Sequence, residues 1–216
     1  RCRQKGFKQA HIQTSGFLGT FYLDGGLHYF FEGSSQSKYP LIIERTNFTD
    51  SVSTGSGKRA AIFIDFVDST TNALLSNCHF ECSNVITDES SVIYLQDLLN
   101  ENENKCAVEH CSFKNCLNNG DIVYSEIFEL EFISCEIDSN CGGILMSPIG
   151  KFSIQESTFK NSISAIKSID GIENDQECII SNCIFDTCST GDGCCFNIKI
   201  QSTSFVFRNN EIKNTI

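Results

Sequence analysis

Cysteine is the residue type whose chemistry this sequence offers most often. The chain of 216 residues contains 13 cysteines. Cys106–Cys116 places three of them five positions apart, and Cys178–Cys188 repeats that spacing. Thiols at this density could form a disulfide framework, as in small secreted proteins, or could bind zinc. Which chemistry is open to them depends on where the backbone places the sulfur atoms.

The two cysteine segments are copies of a longer repeated pattern. Taking a Phe or Ile as the origin, apolar residues lie seven and five positions before it, and a Cys, Ser, Thr or Asn lies two positions before it. No apolar position of the pattern holds a charge. Because a repeat of this length indicates stacked supersecondary units, it decides the fold before any site is considered. The pattern has its origins at Phe17, Phe48, Phe80, Phe113, Ile137, Phe159, Phe185 and Ile212.

Each unit predicts strands with one buried face, because apolar residues alternate with polar or variable ones at a period of two. The alternation slips by one residue before the origin, as a bulge or bend would cause. A turn follows, and then a second short apolar run such as Ser91–Leu95. The prediction is an all-β fold: a right-handed parallel β-helix, a solenoid of about eight coils with two to three short strands per coil. A leucine-rich-repeat solenoid is disfavoured because its Leu-x-x-Leu-x-Leu frame is absent.

The predicted organisation is a basic lead-in over residues 1–9 and a single β-helix domain over 10–216. The last unit stops after its first strand, and an uncapped coil exposes interior residues and unpaired strand edges. We therefore expect a longer solenoid, or a partner that caps residues 214–216. Phe207 and Ile212 should then be more exposed than their mid-rod equivalents, Phe132 and Ile137.

The Cys-x-Phe-x-Asn-Cys turn, together with a Gly-Gly-Ile-Leu strand as in Cys141–Leu145, resembles the repeats of polymorphic outer-membrane-type proteins. It is also similar to cysteine-containing β-helix surface proteins of protists. Both belong to the pectin-lyase-like superfold, and the resemblance covers about residues 10–216. It implies an extracellular or cell-surface location. It leaves function open, because this fold hosts lyases, hydrolases and adhesins.

Stacked coils change how the cysteines are interpreted. Cys78, Cys111 and Cys135 fall in one inward column on successive coils, about 4.8 Å apart, whereas disulfide-bonded Cβ atoms lie about 3.8 Å apart. We expect most thiols to be packed and reduced, like small apolar side chains. One or two disulfides remain open among Cys2, Cys194 and Cys195. A zinc site is disfavoured because a dry column offers no tetrahedral ligand set.

Composition limits the partners. The net charge of −11 argues against nucleic acid and anionic membrane surfaces, and no apolar run is long enough for membrane insertion within this segment. The acidic insertions 96–105 and 170–177 could bind calcium, but neither has the spaced Asp/Asn ligand frame, so solvated loops are favoured. No cofactor and no metal-binding, catalytic or cofactor-binding residues are assigned.

Carboxylates and histidines are the remaining groups that could support catalysis. Lyases of this fold stack carboxylates and a basic residue on an outward strand face, and glycoside hydrolases need an Asp/Glu pair about 5–10 Å apart. On the first strand no two carboxylates share a column on adjacent coils. Glu136 and Asp138 lie on one face, about 7 Å apart, without a matching Arg or His. His79 and His110 are expected to be separate surface residues.

The favoured function is therefore a non-catalytic surface scaffold or adhesin segment that displays loops for protein or glycan contact. The partner would bind along the side of the rod or at its C-terminal end. The alternative is a polysaccharide lyase or glycoside hydrolase.

Three surface features are also predicted. Alternating charges one position after the origin should pair along that column. Side chains two positions after the origin, such as Asn115 and Asn161, should cap backbone groups. An outward apolar stripe should be covered by loops or another chain, with Glu131 and Ser153 wet. The large members of the stripe are Ile42, Leu74, Ile179 and Val206.

Overall fold

The computed structural model describes most of the chain, in segments. For the segments up to residue 30, and for 52–53, 59–60 and 84–85, the description covers the backbone alone. The described residues are 2–5, 10–13, 16–18, 21–22, 27–30, 39, 41–49, 52–53, 59–66, 72–81, 84–85, 91–97, 104–116, 120–138, 142–146, 151–168, 177–189, 195–199 and 204–214.

Sheet I contains the strand that carries the two apolar positions before each origin. Its eight strands are parallel, and each pairs with its equivalent in the next coil. Leu41, Ala73 and Cys106 are in register, as the repeat predicts. Its strands are β2 (Ala10–Gln13), β6 (Leu41–Glu44), β10 (Asn72–Ser76), β14 (Lys105–Glu109), β17 (Glu129–Ile133), β20 (Lys151–Gln155), β23 (Cys178–Ser181) and β26 (Phe205–Arg208).

Sheet II contains the origins of the repeat on eight short parallel strands. Phe113 pairs with Ile137, and Phe159 pairs with Phe185, so both predicted neighbours are confirmed. The strands of this sheet are β3 (Gly16–Leu18), β7 (Asn47–Thr49), β11 (His79–Glu81), β15 (Ser112–Lys114), β18 (Glu136–Asp138), β21 (Thr158–Lys160), β24 (Ile184–Asp186) and β27 (Glu211–Lys213).

Sheet III contains the second apolar run of each unit and closes the coil. Residues 2–5 of the basic lead-in form its first strand, which pairs with Leu27–Phe30. Its strands are β1 (Cys2–Lys5), β5 (Leu27–Phe30), β9 (Arg59–Asp65), β13 (Ser91–Gln96), β16 (Asp121–Glu126), β19 (Gly142–Met146), β22 (Ile166–Ser168) and β25 (Phe196–Asn197).

A fourth, three-stranded parallel sheet lies between sheets II and III in three early coils. The chain is therefore a right-handed parallel β-helix with three or four short strands per coil. The strands of this small sheet are β4 (Phe21–Tyr22), β8 (Val52–Ser53) and β12 (Asn84–Val85).

The slip in the apolar alternation is a bend between sheets I and II rather than a bulge within a strand. For the seven origins from Phe48 to Ile212, the residue three positions before the origin has a positive φ, as at Asn77 (53°) and His110 (54°). Two positions after the origin the same conformation returns, for example at Asn161 (54°). Asn tolerates this left-handed region better than most residues. One left-handed residue thus turns the chain at each of the two corners that flank sheet II.

The interior is filled by columns of identical positions, and sheet II shows the effect most directly. Phe48, Phe80 and Phe113 are fully buried, with ring centroids 4.8 and 4.7 Å apart and nearly parallel planes. Phe159 and Phe185 stack in the same way at 5.0 Å. Offset stacking of buried rings adds to the stabilisation from apolar burial. The aromatic column therefore holds successive coils in register.

The outward apolar stripe on sheet I is partly covered. Its large members are half-buried and Ala107 is fully buried. Burial raises the pKa of the Tyr39 hydroxyl, and the nearby Lys105 opposes that shift. The predicted contrast with wet polar neighbours is wrong: Glu131 and Ser153 are also half-buried. The Lys105 ammonium pairs with the Glu131 carboxylate, which keeps that side chain against the sheet.

Candidate functional site

Six of the nine described thiols are structural hydrogen-bonding groups at the two corners that flank sheet II: Cys78, Cys111, Cys135, Cys183, Cys116 and Cys188. Cys111 Sγ lies 3.4 Å from the Glu109 carbonyl and 3.7 Å from the Leu75 carbonyl of the preceding coil, and it accepts the Cys78 N–H at 3.4 Å. Its own N–H donates to Cys135 Sγ at 3.4 Å. This column of thiols therefore forms hydrogen bonds with N–H and C=O groups of the corner backbone that the strand ladders cannot satisfy.

Where another polar residue replaces cysteine at the corner, its side chain also accepts the N–H of the preceding coil. Ser157 Oγ accepts the Cys135 N–H at 3.1 Å, and Asn210 Oδ1 accepts the Cys183 N–H at 2.9 Å. At the second corner, Cys188 Sγ lies 3.4 Å from the Phe159 carbonyl. The corner needs a small side chain that donates and accepts, and a buried thiol is one solution.

This arrangement corrects the prediction for the asparagines after the origin. The column two positions after the origin supplies the left-handed residue, and the capping side chains lie one residue later. Asn161 Nδ2 donates to the Asp138 carboxylate at 2.8 Å, and Asn214 Nδ2 donates to the Asp186 carboxylate at 2.8 Å. Neither of these contacts is to the backbone, because a left-handed residue points its side chain away from the corner.

Among the described residues, nine cysteines are free and all nine are buried, as predicted for packed thiols. Cys195, which the sequence left open for a disulfide, is one of them, whereas the Cys2 and Cys194 side chains lie outside the described residues. Burial raises the pKa of the Cys188 thiol to about 12, with neighbouring Cys195 contributing. Burial alone raises the pKa of Cys106. Protonated thiols are poor nucleophiles and poor metal ligands.

The outer face of sheet II carries a diagonal charge ladder. The Glu136 carboxylate lies 3.2 Å from Lys160 Nζ and 3.6 Å from Lys114 Nζ, on the coils either side. The predicted pairing within one column is therefore wrong for these residues: the long lysines reach a glutamate in the neighbouring column. Asp138 is held by Asn161 instead. The carboxylates of Glu136 and Asp138, considered as a catalytic pair, are thus each engaged by a separate partner.

The two histidines are separate, as expected. His79 lies on the outer face of sheet II, whereas His110 is exposed at the left-handed corner between sheets I and II. The neighbour of His79 is Ser112, which pairs with it in the next strand.

Sheet III has a column of aromatic residues on its outer face, which the sequence analysis missed. Phe63, Tyr94 and Tyr124 are in register and lie opposite the interior side chains of their strands. The Tyr94 and Tyr124 rings stack with centroids 4.6 Å apart. Leu145 and Lys167 continue the column. The sequence carried part of the signal, since several of the second-strand runs contain an aromatic residue, but Phe63, Tyr94 and Tyr124 align only when the strands are paired.

The aromatic column is bordered by carboxylates. Both tyrosine hydroxyls donate to Glu126, Tyr94 at 3.3 Å and Tyr124 through a short hydrogen bond. Burial, reinforced by the Glu126 carboxylate, raises the pKa of the half-buried Tyr124. Glu126 shares its own column with Gln96 and Asp65. Phe63, Tyr94 and Asp65 are buried, so the accessible part of this face consists of the half-buried Tyr124, Glu126 and Gln96.

A buried ion pair closes this surface on the other side. The Asp121 carboxylate, only 6% exposed, lies 3.3 Å from Lys167 Nζ two coils away. Gly142 lies between them, and a Cβ there would come within 1.9 Å of Asp121 Oδ1. Burial raises the pKa of Asp121, and Lys167 opposes that shift. Glycine in this position therefore makes the room that the pair occupies.

The connections that vary in length all border sheet III. The corner between sheets I and II is constant: in every coil two residues join the strand of sheet I to the strand of sheet II. The connection leaving sheet III ranges in length from two residues, 127–128 after β16, to ten residues, 31–40 after β5. A rigid scaffold with variable loops on one side is the usual arrangement for a contact surface.

The acidic insertions belong to these connections. The predicted loop 96–105 is described at its ends, where Asn104 Nδ2 donates to Asp97 Oδ2 at 2.6 Å. Residues 98–103 and 170–176 lie outside the described residues. Within the part of the chain that the structure describes, no group of three or more His, Cys, Asp or Glu side chains is placed to hold a metal ion.

The last coil exposes its interior, as predicted. Phe207 and Ile212 are 43% and 49% exposed, whereas Phe132 and Ile137 are fully buried. Phe205 is also 43% exposed and lines an open cavity with Phe207, Ile212, Phe196 and Ile198.

Comparison with known proteins found no matching family model, no matching curated protein and no matching solved structure. Among the described residues there is no helix with the length and apolar character needed to cross a membrane. The site geometry must therefore support any functional conclusion by itself.

Proposed function

We propose that this β-helix is a surface scaffold whose contact face, sheet III, is non-catalytic, an adhesin-like segment of the pectin-lyase-like superfold related to the polymorphic outer-membrane type. Its place of action would be the cell surface or the extracellular space. The observation that carries the proposal is the concentration of variable connections around sheet III. The constant corner beside sheet II keeps the coils aligned, and variation is confined to the side where a partner would bind.

The partner we favour is a neutral, hydroxyl-rich glycan that binds the outer face of sheet III. Tyr124 and Leu145 supply half-buried apolar surface, while Glu126 and the partly exposed Lys167 supply an acceptor and a donor for sugar hydroxyls. Sites that combine aromatic surface with a few polar groups suit such ligands. The net charge of −11 disfavours polyuronates, because like charges repel.

Binding measurements can test this proposal. Calorimetry with neutral and uronate oligosaccharides, with and without calcium, should show binding of the neutral set alone. Tyr124→Ala and Glu126→Gln should each weaken that binding by about tenfold or more. Glu136→Gln on sheet II is the matched control and should change nothing. A protein partner bound through sheet III, with no glycan bound, would overturn the choice of ligand, and equal losses in the control would overturn the choice of surface.

Glycoside hydrolysis remains a second candidate because of one column. Asp65, only 6% exposed, and Glu126 share the outer face of sheet III with Gln96 between them, and their backbone positions are two coils or about 9.6 Å apart, a separation that side-chain reach can shorten. Inverting hydrolases separate their two carboxylates by about 6.5–9.5 Å. New reducing ends from an oligosaccharide, lost in Glu126→Gln, would favour the hydrolase. Unsaturated products would favour a lyase.

A further inference from the structure

The outer face of sheet II brings together a serine, a histidine and a glutamate. His79 and Ser112 are paired residues on adjacent strands, and His79 Nδ1 lies 2.6 Å from Ser112 Oγ. On the strand of His79, Glu81 follows two positions later and faces the same side. Its Oε2 lies 3.4 Å from His79 Nε2. Both ring nitrogens of one imidazole therefore contact side chains that could work with it.

The carboxylate determines the direction of these contacts. An ionised carboxylate can only accept, so the Nε2 that faces Glu81 carries the proton. In a neutral imidazole the other nitrogen is then the acceptor, and the Ser112 hydroxyl donates to Nδ1. A serine that donates to an imidazole oriented by an acid is the arrangement that activates an oxygen nucleophile.

The backbone fixes the positions of both residues. The Ser112 N–H donates to the Cys78 carbonyl at 2.9 Å, and the His79 N–H donates to the Thr46 carbonyl at 3.0 Å. Beneath them, the buried rings of Phe80 and Phe113 stack at 4.7 Å. The side chains themselves are accessible, with His79 33% and Glu81 43% exposed. Such a site is preorganised but open, and it suits a small or extended acyl group rather than one enclosed in a pocket.

A cation is available for the charge that would develop on a carbonyl oxygen. Lys114 follows Ser112 by two positions on the same outward face, about 7 Å along the strand. The Lys114 side chain is 44% exposed, and its ammonium lies 3.6 Å from Glu136, a contact loose enough to be shared. The Ser112 N–H is used in the ladder, so the lysine side chain is the group that would stabilise an oxyanion here.

We propose that Ser112, His79 and Glu81 form a nucleophilic site for acyl transfer from esters, separate from the surface on sheet III. Ser112 Oγ bonds to the ester carbonyl carbon as its proton passes to His79 Nδ1, and Glu81 pairs with the resulting imidazolium. The ester C–O bond then breaks, and the leaving alcohol takes the proton from Nδ1. Water attacks the acyl-serine, transfers a proton through His79, and releases the carboxylic acid with Ser112 restored.

Other hydroxyls on the rod provide matched controls. Thr158 occupies the same column as Ser112, but its paired neighbours are Glu136 and Ile184, neither of which is a base of this kind. Ser153 on sheet I accepts a hydrogen bond from Gln155 Nε2 at 2.6 Å, whereas Ser112 donates one to His79. Neither hydroxyl should react as Ser112 does.

The experiment uses the whole chain and a fluorophosphonate probe, whose phosphorus bonds to a nucleophilic serine with loss of fluoride. Mass spectrometry should place one adduct on the peptide that contains Ser112. His79→Gln should slow labelling by at least about tenfold, since a general base contributes about 10²–10⁴-fold. Glu81→Gln should slow it less, and Thr158→Ala should not slow it. Hydrolysis of p-nitrophenyl acetate should change in parallel.

Three outcomes would overturn the proposal: no adduct on Ser112, equal labelling of wild type and His79→Gln, or unchanged ester hydrolysis in Ser112→Ala. All of these substitutions are at outward positions, so a thermal melt that matches wild type is expected for each variant. An unaltered melt with full labelling in His79→Gln would show that the contact has no chemical role.

Discussion

Sheets II and III differ in what surrounds them. Sheet II begins at a corner of constant length in every coil, where a left-handed residue and a hydrogen-bonding side chain turn the chain, and its outer face is a regular lattice of charges. Sheet III lies between connections of variable length, and its outer face has an aromatic column flanked by carboxylates. We infer that one side of the coil keeps successive coils aligned and that the other side recognises a partner. Substitutions on the two sides should therefore fail in different ways.

The largest effect is expected inside sheet II. Phe159→Ala should lower the free energy of unfolding by about 3–5 kcal/mol, because it leaves a cavity between Ile137 and Phe185 in the stack. Phe207→Ala, at the open end, should cost less than about 1 kcal/mol because that ring is already 43% exposed. Urea denaturation of both variants measures the contrast. Similar losses in the two variants would mean that the buried column of sheet II does not dominate the stability of the β-helix.

Two adjacent glycines of sheet III should differ in how well they tolerate an added Cβ. A Cβ on Gly143 would lie 2.1 Å from the backbone oxygen of Ala165, whereas a Cβ on Gly142 meets the movable carboxylate of Asp121. Gly143→Ala should therefore cost about 2–3 kcal/mol, in the range of other overpacked sites, and Gly142→Ala about 1 kcal/mol or less. Thermal melts of the pair test this order, and the reverse order would contradict it.

The thiol column predicts a smaller, selective loss. Cys111→Ala removes the sulfur that accepts the Cys78 N–H and should cost about 1–3 kcal/mol through an unsatisfied buried group. Cys111→Ser should cost less, since Ser157 fills the equivalent position in another coil. Chemical denaturation under reducing conditions distinguishes the two. If serine is as damaging as alanine, the thiol acts through its volume rather than through hydrogen bonds.

The smallest effect is a dependence on pH at Asp121. Its folded-state pKa is raised by burial, so between the ordinary carboxyl pKa and this raised value the folded chain holds a proton that the unfolded chain has lost. The Asp121 contribution to stability should therefore be present below the ordinary value and fall as pH rises through that window. In Asp121→Asn this fall should disappear. A wild-type stability curve identical in slope to that of the variant would count against the assignment.

Much of this molecule could be predicted from the sequence because the coil repeats. The origin column, from Phe17 to Ile212, and the two apolar columns before it follow directly from the period-two alternation and are in register as predicted. The slip before the origin indicated a bend without showing that one left-handed residue makes it.

Side-chain contacts between coils were harder to predict. Glu136 reaches Lys114 and Lys160 diagonally, and the capping groups lie one residue beyond the asparagines. Both depend on side-chain reach and corner geometry, which the aligned repeat sequences do not show. The aromatic column of sheet III was missed for another reason: variable connections shift its position in each unit, so that Tyr94 and Tyr124 align only after the strands are paired.

The central claim is that the corner between sheets I and II fixes the coils while the border of sheet III tolerates change. One glycine inserted after His110 and one inserted between Ile127 and Phe128 test it in a single set of melting curves. The corner insertion shifts an apolar strand by one residue and turns its interior side chains outward, so it should cost more than about 3 kcal/mol or prevent folding. The insertion at 127–128 should cost less than about 1 kcal/mol. Equal losses, or a larger loss at 127–128, would contradict this division of the coil.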